Sequence, residues 1–175
     1  GLSASCGDEI CEVAGVKIKN GRIIDKFVTL VNPRCPISFE ASTVNGITDD
    51  MVKNAPTIEK VLPKFIKFIG DSILVAHNAS FDISFFSVKL KYFGLNPMSN
   101  IILDTLRLSR RLFPHYRNHN LPELRRRFSI DLENEHRALS DVIATGKIFC
   151  IFMDELKRLG AGSIDDVLKY HGKAF

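Results

Sequence analysis

With 175 residues, 45% hydrophobic and 25% charged, the chain has the size and balance of one globular domain with a sizeable core. No apolar run approaches the ~20 residues that a spanning helix needs, which argues against a membrane protein, and no basic-then-apolar leader opens the sequence, which points to a cytoplasmic location. A formal net charge of +4 allows a polyanionic partner without requiring one.

Residues 10–18 read as a strand, with Ile10, Ala14, Val16 and Ile18 sharing one face and Glu12 interrupting it. Asn20-Gly21 signals a type I′ hairpin, and residues 22–31 return as a second strand closed by Pro33 and Pro36. Thr48 is positioned to cap a short helix beginning Asp49-Asp50-Met51. Pro56-Thr57 opens the next helix, where Ile58, Val61, Leu62, Phe65, Phe68 and Ile69 form an apolar stripe. The run 73–76 is a short buried strand. A helix follows from about Ser80 to Phe93, with Asn78 or Ser80 as its cap, Phe85, Val88 and Tyr92 on its core side, and Gly94 ending it.

Residues 100–103 form another buried strand. Asp104 follows it and reads as the cap of a helix from Thr105 to Phe113, stopped by Pro114. Leu121, Leu124, Phe128 and Ile130 mark a further helix. A long one runs from about Ala138 to Leu159, and Ser163 with Asp166 makes a weak capping box for a short C-terminal helix over 163–171. Two antiparallel strands followed by helices alternating with short apolar strands give an α/β layout, a mixed sheet with helices on both faces, in a single domain over 1–175.

Cys6, Cys11, Cys35 and Cys150 show neither a CxxC pair nor zinc-ligand spacing, and read as reduced structural thiols. Arg107, Arg110, Arg111, Arg117, Arg125, Arg126 and Arg127 form a basic stretch. Phosphate tracking and a solvated helix face are both open for it.

The chemistry-bearing residues lie in two stretches, His77-Asn78-Ala79-Ser80-Phe81-Asp82 and His136-Arg137-Ala138-Leu139-Ser140-Asp141. Asp82 falls in the first turn of a helix after a buried strand, where α/β folds gather ligands. The helix dipole there favours an ionised carboxylate, a donor suited to Mg²⁺ or Mn²⁺. His136 and Asp141 are five residues apart and would point about 140° away from each other on a regular helix. They share a site only if His136 stands in the loop before the helix and Asp141 on its first turns. A histidine titrating near neutrality suits proton abstraction. Phe81 is open between base stacking and core packing. Asp104 reads as a cap rather than a ligand, and Asp8 and Glu9 sit too close together to supply a separated pair of carboxylates.

Taken in order, these segments resemble the DEDDh family of 3′→5′ exonucleases. Within it the likeness is to the proofreading exonucleases of bacterial DNA polymerase III, of epsilon-subunit or PolC type. The resemblance rests on Asp8-Glu9-Ile10 with Glu12 and Ala14-Gly15-Val16, and on Leu30-Val31-Asn32-Pro33 and Asn45-Gly46-Ile47-Thr48 with Met51. It continues through Val75-Ala76-His77-Asn78-Ala79-Ser80-Phe81-Asp82, Asp104-Thr105-Leu106 and His136-Arg137-Ala138 with Asp141.

The resemblance implies a ribonuclease H-like fold, Asp82 and Asp141 as metal ligands, and His136 as general base. It implies His77, Asn78 and Phe81 near the terminal nucleotide of a single-stranded DNA 3′ end, and a DNA polymerase subunit as a partner. Two divalent cations, Mg²⁺ or Mn²⁺, ~4 Å apart would clamp the scissile phosphate. Nucleoside 5′-monophosphates would be released. The family's Asp-x-Glu-Thr motif, with its two further carboxylates on the first strand, does not occur in these residues. The expectation is a domain whose first strand is missing and whose nuclease activity is impaired. An RNA 3′→5′ exonuclease and a non-catalytic nucleic-acid or polymerase-binding module are the alternatives.

Overall fold

The structure, a computed structural model, describes residues 9–130 and 138–172 of the chain. It begins with the expected hairpin, β1 (Glu12–Lys19) and β2 (Arg22–Leu30), paired antiparallel from Glu12 opposite Leu30 to Lys19 opposite Arg22. The turn is carried by Asn20 and Gly21, both at positive φ (53° and 73°), the backbone that a type I′ turn demands. The parallel pair, β3 (Leu74–Ala76) and β4 (Ile102–Asp104), is joined by the crossover helix α4 (Ala79–Tyr92).

Two helices precede the stretch that leads into β3. A short helix, α1 (Phe39–Asn45), went unrecognised in the sequence; Ser38 caps it by accepting from the Ala41 N–H, and Gly46 closes it at φ 68°. The helix α2 (Asp49–Val52) forms as expected, but the Thr48 side chain does not cap it. Asp49 instead accepts from the Ile37 N–H, tying α2 back to the loop before α1. Then α3 (Ile58–Ile69) lays its apolar stripe on β1 and β2. Val13, Val31, Ile58, Val61, Leu62 and Leu90 form one core, and the rings of Phe27, Phe65 and Phe68 meet edge-on and tilted at its margin.

Val88 and Tyr92 of α4 were expected in the core and are exposed (49% and 80%). Phe85 is buried as expected, and Phe86, Leu90 and Phe93, with Ala79 at the start, also face inward, so the buried face lies round from Val88 and Tyr92.

The second core belongs to α5 (Thr105–Leu112), α6 (Leu121–Arg127), α7 (Ala138–Arg158) and α8 (Ile164–His171), packed against β4. Leu103, Leu108, Leu124, Ile148, Phe152 and Leu156 are fully buried there. The capping box on α8 forms with both arms. The long helix α7 belongs to this second core and also packs under β1 and β3. It lies so close to β1 that a Cβ on Gly146 would come within 2.4 Å of Ile18 Cδ1. Among the described residues β1 does not pair with β3, so each strand pair presents one unpaired edge to the space above α7.

Candidate active site

That space is a cleft of about 1750 Å³. Its walls are the free edges of β1 and β3, with α3 and α4 on one side and α7 on the other. His77, Asn78, Phe81, Asp82 and Asp141 all line it, so the structure brings together every site residue read from the sequence except His136. His136 lies outside the described residues. Ala138, two positions on, lines the cleft.

The junction between β3 and α4 is held by its neighbour. Asn78 is in the left-handed region (φ 65°, ψ 52°), which asparagine tolerates better than most residues. Its N–H donates to Asp104 Oδ1 at 2.9 Å, and the same oxygen accepts from the Leu106 N–H at 2.8 Å, capping α5. The Asp104 N–H donates to His171 Nε2 at 2.9 Å. His77 Nδ1 lies 2.9 Å from Thr105 Oγ1, and that hydroxyl donates to the Ala76 carbonyl. Burial holds the His77 imidazole below its ordinary range against the pull of Asp104. His77 is thus half-buried and anchored to the neighbouring junction, while Asn78 is exposed.

Asp82 is treated differently. It is exposed, with the cleft walls around it. Desolvation pushes its carboxyl up to about 6, against the hydrogen bond from its own backbone and with the help of the Asp104 charge. The sequence reading, that the dipole of α4 keeps this carboxylate charged, holds at pH 7 by a narrow margin only. A cation beside Asp82 would relieve both the desolvation and the repulsion. Phe81 is 41% exposed at the same rim, with its ring 5.2 Å from that of Phe85. It packs on one side and is open on the other.

Asp141 is half-buried in the first turn of α7. The start of that helix is held by a residue that the sequence reading passed over. Glu12 Oε2 accepts from the Ala138 N–H at 3.1 Å, and Glu12 lines the cleft too. The signal was present in the sequence as the single carboxylate interrupting the apolar face of β1.

The donors fit a hard divalent cation in kind, being carboxylate oxygens on one solvent-reached cleft. They do not fit a fully formed two-ion centre, since among the described residues no three acidic, histidine or cysteine side chains converge. Glu9 is engaged elsewhere, 2.6 Å from Lys89 Nζ.

Much of the basic stretch is committed to local contacts. Arg126 and Arg127 pair with Glu123, Arg127 also lies over the Tyr116 ring, and Arg111 donates to the Tyr170 carbonyl. Arg125 is buried. Among the described residues no helix is long and apolar enough to cross a membrane.

A family model described as exonuclease matches residues 1–149. The PolC-type DNA polymerase III of Caldanaerobacter subterraneus subsp. tengcongensis is 46% identical over 167 residues, covering 95% of this chain and 12% of that protein. The chain therefore spans about an eighth of that relative's length. Among solved structures, exonuclease X in complex with 5′ overhanging duplex DNA is 28% identical with a TM-score of 0.75, over 94% of this chain and 92% of that one. The nuclease domain of 3′hExo, a DEDDh family member bound to rAMP, has a TM-score of 0.71 over 84% of this chain and 82% of its own. At 21% identity it speaks to the fold alone. The ribonuclease H-like α/β expectation is borne out by both likenesses.

Proposed function

This chain belongs to the exonuclease family, and from that premise we propose that it is a 3′→5′ exonuclease domain of a PolC-type polymerase III, acting in the cytoplasm. Its substrate is a single-stranded DNA 3′ end, from which it releases nucleoside 5′-monophosphates in proofreading or repair. The observation that carries this reading is that Asp82 and Asp141, well separated in the sequence, line one cleft with His77, Asn78 and Phe81. The likeness to a PolC-type polymerase and to a DNA-bound exonuclease supports DNA over RNA.

Asp82 and Asp141 are the residues that would hold Mg²⁺ or Mn²⁺. When bound, such ions neutralise phosphate charge and make a water acidic enough to give up its proton near neutral pH. His136, which precedes α7 in the sequence, would be the base for such a water, the role the resemblance implies for it. Phe81 offers its exposed ring face to the terminal base, with stacking worth about 1–3 kcal/mol per base. Asn78 and His77 shape the turn on which the terminal nucleotide rests.

Two carboxylates leave the site short of charge for a pair of cations. We place the missing Asp-x-Glu-Thr on a strand between β1 and β3. Each strand pair has an unpaired edge, and β1 and β3 line the same cleft, which is where a further strand would pair. The 175 residues alone are then a weak nuclease or none, with an unpaired sheet interior.

The test is a Mg²⁺ or Mn²⁺ nuclease assay on end-labelled single-stranded DNA and RNA. It compares the 175-residue chain with the same chain preceded by a strand bearing Asp-x-Glu-Thr. We expect stepwise loss of mononucleotides from DNA 3′ ends only with the added strand. Asp82→Asn or Asp141→Asn then lowers kcat by about a thousandfold or more, comparable to losing a main electrostatic element of a site. Robust turnover by the unextended chain refutes the impairment. Preference for RNA refutes the DNA assignment, and salt-dependent binding without cleavage by the extended chain refutes the enzyme.

A further inference from the structure

We propose that Glu12 is a positioning residue of this site, whose carboxylate fixes the start of α7 and so seats Asp141 in the cleft. The proposal rests on the reading of Asp141 as a ligand, and adds a residue to which that reading gave no role.

Three observations carry it. Glu12 Oε2 accepts from the Ala138 N–H at 3.1 Å. The first N–H groups of a helix have no acceptor within it, so an outside carboxylate is what holds them, and the positive end of the helix dipole favours a negative partner. Glu12 also lies on the face of β1 that carries Val16 and Ile18, and those two side chains approach α7 at Gly146. The helix is therefore attached to β1 at two points, a hydrogen bond at 138 and a close apolar contact at 146.

Asp141 lies between these points. One attachment would leave α7 free to turn about it, and each residue of helical slippage swings a side chain by 100°. Two attachments fix rotation and translation together. The interval from 138 to 146 is about 12 Å of helix axis, short enough for both ends to constrain the turn that carries Asp141. A charge on an otherwise apolar strand face is explained by this task, since among the described residues Glu12 supplies the acceptor for the Ala138 N–H.

Two substitutions separate the bond from the charge. Glu12→Gln keeps an acceptor oxygen at the same reach and removes the charge. Glu12→Asp keeps the charge and withdraws the oxygen by one methylene. The probe is Mn²⁺ alone, titrated into the 175-residue chain by electron paramagnetic resonance, alongside amide hydrogen exchange at Ala138 and the Asp141 backbone resonance by NMR. Val31→Ala, a core truncation away from α7, serves as the stability control.

We expect Glu12→Asp to speed exchange at Ala138 and to weaken Mn²⁺ binding about tenfold, the scale seen when a partner of a metal ligand is removed. Glu12→Gln stays within about threefold on both readouts, set against that tenfold loss. Val31→Ala lowers Tm and leaves Mn²⁺ affinity unchanged.

Equal loss in Gln and Asp forms, or greater loss in Gln, overturns the proposal and makes Glu12 a ligand in its own right. Unchanged exchange at Ala138 in Glu12→Asp overturns it as well, as does faster exchange with unchanged Mn²⁺ affinity. Should the unsubstituted chain bind no Mn²⁺, the titration is repeated on the chain preceded by the Asp-x-Glu-Thr strand, and the ligand reading of Asp82 and Asp141 fails separately if that chain binds none either. The positioning claim is then decided by whether the Asp141 resonance moves in Glu12→Asp and stays in place in Glu12→Gln.

Discussion

Asp82 and Asp104 stand at the two strand-to-helix junctions of the parallel pair, and their surroundings are opposite. Asp104 is almost fully buried, and one of its oxygens accepts from two backbone N–H groups, those of Asn78 and Leu106. Asp82 reaches solvent in the cleft and is pushed up to about 6, first by desolvation, with Asp104 adding repulsion. A carboxylate saturated with N–H donors is held as a structural part. One that is exposed in the cleft with its carboxyl raised is poised to gain from a cation. The same residue type at the same kind of junction is thus divided between scaffold and chemistry by the donors around it, and neighbours decide the outcome more than position does.

The sharpest way to break this comparison is to remove the scaffold member. Asp104→Ala deprives the Asn78 and Leu106 N–H groups of their acceptor at once, at a site where water is poorly placed to replace it. Each orphaned buried donor costs about 1–3 kcal/mol, so the variant should lose about 2–5 kcal/mol of stability by urea unfolding. Asn78 should leave its left-handed conformation, seen as a large shift of its NMR resonances. A loss under about 1 kcal/mol would mean that Asp104 is no keystone and that the contrast with Asp82 is empty.

A smaller effect should come from His171 beneath the same junction. It is buried, and its Nε2 accepts from the Asp104 N–H while Nδ1–H faces the Gly172 carbonyl. Burial holds its imidazole below the ordinary range, and Arg107 and Arg111 act in the same direction against Gly172 and Asp104. For a base with a lowered folded pKa, the unfolded chain binds the proton more readily. The stability that neutral His171 supplies is complete above its unfolded value of about 6.5 and drains away as pH falls below it. Tm should therefore fall between pH 7.5 and 5.5. In His171→Leu, already less stable, that part of the pH slope should vanish. An unaltered slope would exclude His171 from the acid sensitivity.

Much of this was legible in the sequence, and the exceptions share a cause. Alternation and Asn20-Gly21 announced the hairpin, apolar runs announced β3 and β4, and the Asp104 and Ser163 caps were read correctly, because each is a local preference that the fold did not overrule. The association of Asp82 with Asp141 was legible through resemblance, while the helix start read near Ala138 allowed His136 and Asp141 to share a site. What escaped depended on partners distant in the chain. The α1 helix lacks a long apolar stripe, and Phe39 is 83% exposed. Thr48 lost its capping task because Asp49 was drawn to Ile37 across the loop. Val88 and Tyr92 were misplaced because the rotation of α4 is set by the core of α3 and β1. Glu12 looked like a flaw in a strand until α7, from far along the sequence, packed against it. The basic stretch looked available for phosphates until Glu123 and Tyr116 met part of it.

The smallest effect tests the other member of the pair. An acid whose folded pKa is raised makes the charged folded state less favourable, so in the absence of cations Asp82 should detract from stability at neutral pH. Asp82→Asn should then be slightly more stable than the unsubstituted chain at pH 8. Because the side chain still reaches solvent, the gain is discounted to no more than about 1 kcal/mol, or ~2–4 °C in Tm. The sign has a clear pH signature. The unsubstituted chain recovers the deficit as pH falls through about 6 toward the ordinary aspartate value, because protonation is favoured in the folded state. The two melting curves should converge over that window. Mn²⁺ should raise the Tm of the unsubstituted chain and leave Asp82→Asn nearly unmoved, since only the charged form gains from the ion. An Asn variant less stable at pH 8 would place Asp82 with Asp104 among the structural carboxylates and remove the physical reason for a cation at this end of the cleft.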